Sequence, residues 1–174
     1  MPHRAALAAL AALLALPARA EEQMLRLPDG ETISYRFVQD EGESARPTAL
    51  QILRDLADGR IEDAALLSNA PRRRYETLRD YEQSVGPQEF KRVYGQYFFP
   101  ENRVVAEIAL GPRRAVIWDL GEAGHHLAAQ YFVEVEGRFL VDDVPSKERA
   151  ALQKVVQDYR RQNEKRATSP ARKD

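Results

Sequence analysis

Residues 103–121, RVVAEIALGPRRAVIWDLG, decide the fold. In RVVAEIALG (103–111) and RRAVIWDLG (113–121) the texture has a period of two, the spacing of strands whose successive side chains face opposite ways. Gly111-Pro112 between them is turn chemistry, and a connection that short joins antiparallel neighbours. The same texture continues in HHLAAQYFVEVEG (125–137) and RFLVDDV (138–144), with turns at Gly121 to Gly124 and at Glu136-Gly137. Four strands in an antiparallel meander are expected.

Upstream of Asn102 the period is helical. Leu50, Leu53, Leu56 and Ala57 form one apolar stripe that stops at Asp58-Gly59. Ile61, Ala64, Ala65 and Leu67 mark a shorter helix before Pro71. Tyr75, Leu78, Tyr81 and Val85 mark a third helix, and Gly86-Pro87 punctuates it. Phe90, Val93, Tyr94, Tyr97 and Phe98 follow at i, i+3, i+4, i+7 and i+8, with Pro87 first and Glu89 in the opening turn. Downstream, Ser146 is a suitable N-cap for a last helix carrying Leu152, Val155, Val156 and Tyr159 on one face. Before all of these, MLRLPDGETISYRFV (24–38) reads as a hairpin turning at Pro28-Asp29-Gly30, and residues 39–47 read as a polar linker.

Helices grouped first and strands grouped after give an α+β domain. The expected form is a curved four-stranded antiparallel sheet packed on N-terminal helices, with an extra N-terminal hairpin and a C-terminal helix. The expected divisions are a cleaved signal at 1–20, hairpin and linker at 21–47, one α+β domain at 48–162 and a basic disordered tail at 163–174.

The signal rests on Arg4, the apolar run Ala5 to Leu16, Pro17 and the small-x-small Ala18-Arg19-Ala20. A membrane span needs about 20 apolar residues, so this run is too short for one. Export is therefore expected, to the periplasm in a Gram-negative cell and otherwise to the medium. The chain has no cysteine, which excludes disulfides, thiolate metal sites and a cysteine nucleophile. With the signal removed the net charge is −3; residues 160–174 carry +4 and residues 21–159 carry −7. An acidic body argues against a nucleic-acid surface.

The order of elements, together with LRDLADGRIEDAALLSN (53–69) and EVEGRFLVDDV (134–144), resembles the nuclear-transport-factor-two-like (cystatin-like cone) superfamily over about residues 48–145. The turn Ala57-Asp58-Gly59 and the hairpin Gly137 to Asp143 carry the likeness. The N-terminal hairpin, the lack of an obvious strand between the second and third helices, and the last helix depart from it. The resemblance implies a conical pocket, used by some members for isomerase or dehydratase chemistry and by many others only to bind a ligand or partner.

Candidate chemistry is sparse. His125 and His126 are adjacent, so on a strand they face opposite ways and do not share one metal; helical zinc pairs sit at i and i+4. They read first as strand-edge polar residues, with a single pocket acid–base histidine as the alternative. Asp142-Asp143 diverge for the same reason, and a structural role leads. Asp119 shares its face with Ala115 and Ile117, opposite Val116, Trp118 and Leu120. If its face is the concave one, it is a candidate acid or base; if not, it is solvated. Arg72-Arg73-Arg74 read as pairing with Glu76 and Asp80, or as an anion patch. Tyr94, Tyr97, Trp118 and Tyr131 are candidate walls of a ligand pocket and equally candidate core. No phosphate loop, HExxH, GxSxG or Ser-x-x-Lys occurs, and no metal or cofactor is expected.

The leading expectation is thus an exported, soluble, non-catalytic module binding an apolar small ligand or an exported partner protein. A cofactor-free lyase or isomerase using Asp119, His125 or His126 is the second reading. A homodimer formed through the sheet face is the third.

Overall fold

The computed structural model describes residues 21–121 and 126–168. Its chain runs β1 (Glu22–Arg26), β2 (Thr32–Phe37), α1 (Arg46–Asp58), α2 (Ile61–Leu66), α3 (Pro71–Val85), α4 (Pro87–Gly95), β3 (Asn102–Leu110), β4 (Arg113–Leu120), β5 (His126–Val135), β6 (Arg138–Val141) and α5 (Lys147–Thr168). The α+β class and the antiparallel meander are as expected. The sheet has six strands rather than four, in the order β1-β2-β3-β4-β5-β6.

The two extra strands are the N-terminal hairpin. It does not stand apart: Arg36 pairs with Ala109, Phe37 with Ile108, and the Val38 N–H donates to the Glu107 carbonyl at 2.9 Å. An isolated two-stranded hairpin is marginal in water, and this one gains a third strand and a buried face. Ile33, Leu25, Leu27, Tyr35 and Phe37 pack with Ile108, Ile117 and α5. The chain therefore leaves the sheet after β2, builds four helices, and returns beside its point of departure.

Local chemistry marks the breaks. Proline stands in the first turn of α1, α3 and α4, where its missing N–H costs nothing. At the end of α1, Gly59 takes φ 82° and ψ 17°; its N–H donates to Leu56 O (3.0 Å) and the Arg60 N–H to Asp55 O (2.7 Å), a Schellman close. Between β5 and β6, Glu136 and Gly137 both have positive φ, 50° and 74°, as a two-residue type I′ turn requires. Ser146 Oγ accepts the Arg149 N–H at 3.0 Å, the N-cap expected of α5. The helix then runs through Thr168, past the point where the tail was expected to begin.

Both faces of the sheet are covered. On one, Val116, Trp118, Leu120 and Phe132 pack with Ile52, Leu53, Leu56, Leu78 and Phe90 of α1, α3 and α4. On the other, Ala106, Ile108, Ala115 and Ile117 pack with Leu152, Val155 and Val156 of α5. Each face of the sheet thus packs against the chain's own helices. A bulge at Val105, where the β3–β4 register slips between Val104 and Ala106, puts Val104 and Glu107 on the same face despite their odd spacing. No helix among the described residues is long and apolar enough to cross a membrane.

Candidate functional site

The sequence candidates are dispersed. Asp119 lies on the α5 side of β4, with Ala115 and Ile117. His126 is exposed at the start of β5, opposite Leu120, and so belongs to the other face. His125, Glu122 and Gly124 lie outside the described residues. The described pair is therefore not brought together for acid–base work. Among the described residues no group of three histidine, aspartate or glutamate side chains converges as a metal site.

The aromatic candidates are divided too. Tyr94, Tyr97 and Trp118 sit in the layer between the sheet and α1–α4, with Tyr97 edge-on to Trp118 at 5.2 Å and Tyr94 4.9 Å from Phe90. Trp118 is only 3% exposed, and its indole N–H donates to Gln130 Oε1 at 2.9 Å. Tyr131 lies on the opposite face, packed toward α5. Of the four wall residues, Trp118 is core, Tyr94 and Tyr97 are half-buried against it, and Tyr131 belongs to another layer.

Burial raises the Tyr94 and Tyr97 hydroxyls above the usual phenol value of 10.0. The unfolded chain would release these protons near pH 10 while the folded chain still holds them. Their contribution to stability is therefore complete below pH 10 and is lost as pH rises through their folded values. We expect the urea midpoint of the protein to fall above pH 10 more steeply than that of the Tyr94→Phe, Tyr97→Phe double variant. Parallel declines would show that these two hydroxyls do not contribute.

The acidic pair and the arginine run meet each other. Asp142, 1% exposed, accepts from Arg113 Nε (3.0 Å) and Asn69 Nδ2 (2.9 Å). Asp143 accepts from Ser68 Oγ at 2.7 Å, and its backbone N–H donates to Asn69 Oδ1 at 2.8 Å. Arg72 pairs with Glu76 at 2.9 Å as its spacing predicts, but Arg74 turns to Asp143 rather than to Asp80. This network fastens the α2–α3 connection to the end of β6, where Ser68 and Val141 also form a single parallel bridge.

A larger opening lies elsewhere. The connection from β2 to α1 and one side of α1 enclose a groove of about 590 Å³, lined by Val38, Pro47, Leu50, Gln51, Arg54 and Glu107, among others. That volume is within the range of about 300–1,000 Å³ usual for small-molecule sites. Pro47, Leu50, Gln51 and Arg54 project from one side of α1 because they are spaced by three and four. Glu107 forms the inner end. Its carboxylate is fully buried, accepting from Ser44 Oγ (2.5 Å) and the Ala45 N–H (2.7 Å), with Arg46 Nε at 3.4 Å. Those bonds hold the start of α1 against β3 and so fix the inner end of the groove.

Sequence reasoning missed Glu107. Its signal was present, a lone acid inside the apolar run VVAEIAL, but the bulge at Val105 hides the face to which it belongs. Compared with known proteins, the chain matches no family model, no curated protein and no solved structure.

Proposed function

We propose that the protein is an exported, non-catalytic binding module that takes an apolar small ligand in the groove beneath α1. The observation that carries this reading is the groove itself: aliphatic Val38, Pro47 and Leu50 on walls that also bear Asp40, Glu41, Arg46 and Arg54, and at its end a carboxylate already committed to the fold. Glu107 is engaged by a hydroxyl, a backbone N–H and a guanidinium, so it anchors the site rather than reacting in it. The separation of Asp119 from His126 by the thickness of the sheet weighs against a paired acid–base mechanism. Coverage of the sheet by α5 weighs against a dimer formed through that face.

The helices-then-strands order over 46–141 is what supports the cone-like resemblance. Export rests on residues 1–20; expression with these residues in a Gram-negative host should yield a periplasmic product beginning at Glu21.

The groove is tested by titrating isotope-labelled protein with decanol, an uncharged apolar probe. Saturable amide shifts centred on Val38, Leu50 and Gln51 are expected, and Leu50→Gln should weaken them about tenfold, the loss of one buried apolar contact of about 1.4 kcal/mol. Shifts confined to another region, or unchanged in Leu50→Gln, would dismiss the groove as the site.

A further inference from the structure

A second, smaller opening lies at the far edge of the sheet. The β5–β6 ladder ends where the Asp142 N–H donates to Tyr131 O at 2.9 Å, yet β5 extends back to His126. Backbone groups alternate along a strand, so the N–H and C=O of Ala129 point to the same side as those of Tyr131. That side, beyond the reach of β6, opens into a pocket of about 140 Å³.

Two layers supply arginines to it. Arg74 comes from α3 on one face of the sheet and Arg149 from α5 on the other, with Ala129, Gln130, Tyr131 and Asp143 also on the walls. The Nε atoms of Arg74 and Arg149 are both buried, and neither has a hydrogen-bond partner among the described residues. A buried donor left unmet costs about 1–3 kcal/mol, and more on a charged group. Both side chains line the pocket, so the charge of each guanidinium bears on whatever enters it.

The carboxylates nearby do not fill it. Asp142 is committed to Arg113 and Asn69. Asp143 bonds Ser68 at 2.7 Å but meets Arg74 Nη1 only at 3.4 Å, longer than the roughly 2.7–2.9 Å of a strong charged hydrogen bond. Arg149 has no carboxylate within ion-pair distance among the described residues. Asp142 is matched by Arg113, which also meets Glu148 at 3.9 Å, and Asp143 by Arg74, so Arg149 is the lining cation that no lining carboxylate pairs with. Burial raises the Tyr131 phenol, and the cations of Arg160 and Arg149 pull it back, which places positive charge on the same side.

We propose that this pocket binds a small oxyanion, a carboxylate or phosphate group, held between Arg74 and Arg149. Planar guanidinium forks match the oxygens of such groups, and about 140 Å³ holds one of them with a water or two. The site is independent of the groove under α1 and shares no residue with it.

The test is a titration with inorganic phosphate, and separately with acetate, at constant ionic strength set by chloride. The readout is the arginine Nε–Hε signals and the amides of Ala129 and Gln130 by NMR. Saturable shifts of the Arg74 and Arg149 Nε–Hε signals with at least one anion are expected, and the preferred anion tells whether the natural group is phosphate or carboxylate. Arg149→Gln should weaken binding at least tenfold while decanol binding in the groove is unchanged. Linear, unsaturated shifts in the unmodified protein would overturn the proposal, whatever the variant does. So would equal affinity in Arg149→Gln.

Discussion

Asp142→Ala is expected to destabilise the protein by about 3–5 kcal/mol, the usual consequence of removing one partner from a buried ion pair. Asp142 is 1% exposed and the side chain of Arg113 only 16%, so the guanidinium would be left with little water and a distant Glu148 at 3.9 Å. The Asn69 amide would lose its acceptor as well. Because Asn69 also receives the Asp143 and Val144 N–H groups, disorder there would loosen the link between β6 and the α2–α3 connection. Urea denaturation followed by circular dichroism measures the loss. Asp142→Asn, which keeps the shape and one acceptor, should recover part of it. A midpoint for Asp142→Ala within experimental error of the unsubstituted protein would show that the pair carries no net stability.

Removing α5 is expected to have the larger effect still. Leu152, Val155 and Val156 are each at most 1% exposed, and burying a side chain of this kind contributes about 1.5–3 kcal/mol. Three of them together approach the whole stability of an ordinary domain, about 5–15 kcal/mol. The loss is not confined to the helix. Ile33, Ala106, Ile108, Ala115 and Ile117 would be uncovered as one contiguous apolar face on the strands. A chain ending at residue 146 should therefore either lose cooperative unfolding or self-associate through that face. Sedimentation velocity and a thermal melt distinguish these outcomes, and both count for the argument. A shortened chain that stayed monomeric and melted cooperatively at the original temperature would sink it. Leu152→Asp in the full-length chain should fail in the same direction, by placing a charge at a position that is fully buried.

Much of this was legible along the chain because it depends on neighbours in sequence. The turns at Gly111-Pro112 and Glu136-Gly137, the stop at Gly59, the N-cap at Ser146 and the change of period near Asn102 are local, and each stands where its residues predict. The face assignments of β4 were legible too, since strict alternation separates Ala115 and Ile117 from Val116 and Trp118. Hairpin placement was not. Nothing within 24–38 states that β2 will pair with residues 107–109, some seventy positions on. Nor does an apolar helix face announce which side of a sheet it will cover.

The candidate sites divide in the same way. Arg72 found Glu76 because a helix puts i and i+4 together, whereas Arg74 found Asp143 because two distant segments meet. Glu107 could have been flagged as an acid among aliphatics, but its partners Ser44 and Ala45 come from another part of the chain, and the bulge at Val105 upsets the parity count.

By itself, then, the sequence determined the α+β class, the element order, the local stops and turns, and the absence of any cysteine chemistry. These follow from backbone preferences and side-chain periodicity, whose range is a few residues. Tertiary structure alone decided that the sheet has six strands, that both its faces are closed, and that the openings lie under α1 and between α3 and α5. Those outcomes depend on which apolar faces bury one another and which buried charges find partners, and both are settled only when distant segments compete for the same water-free space.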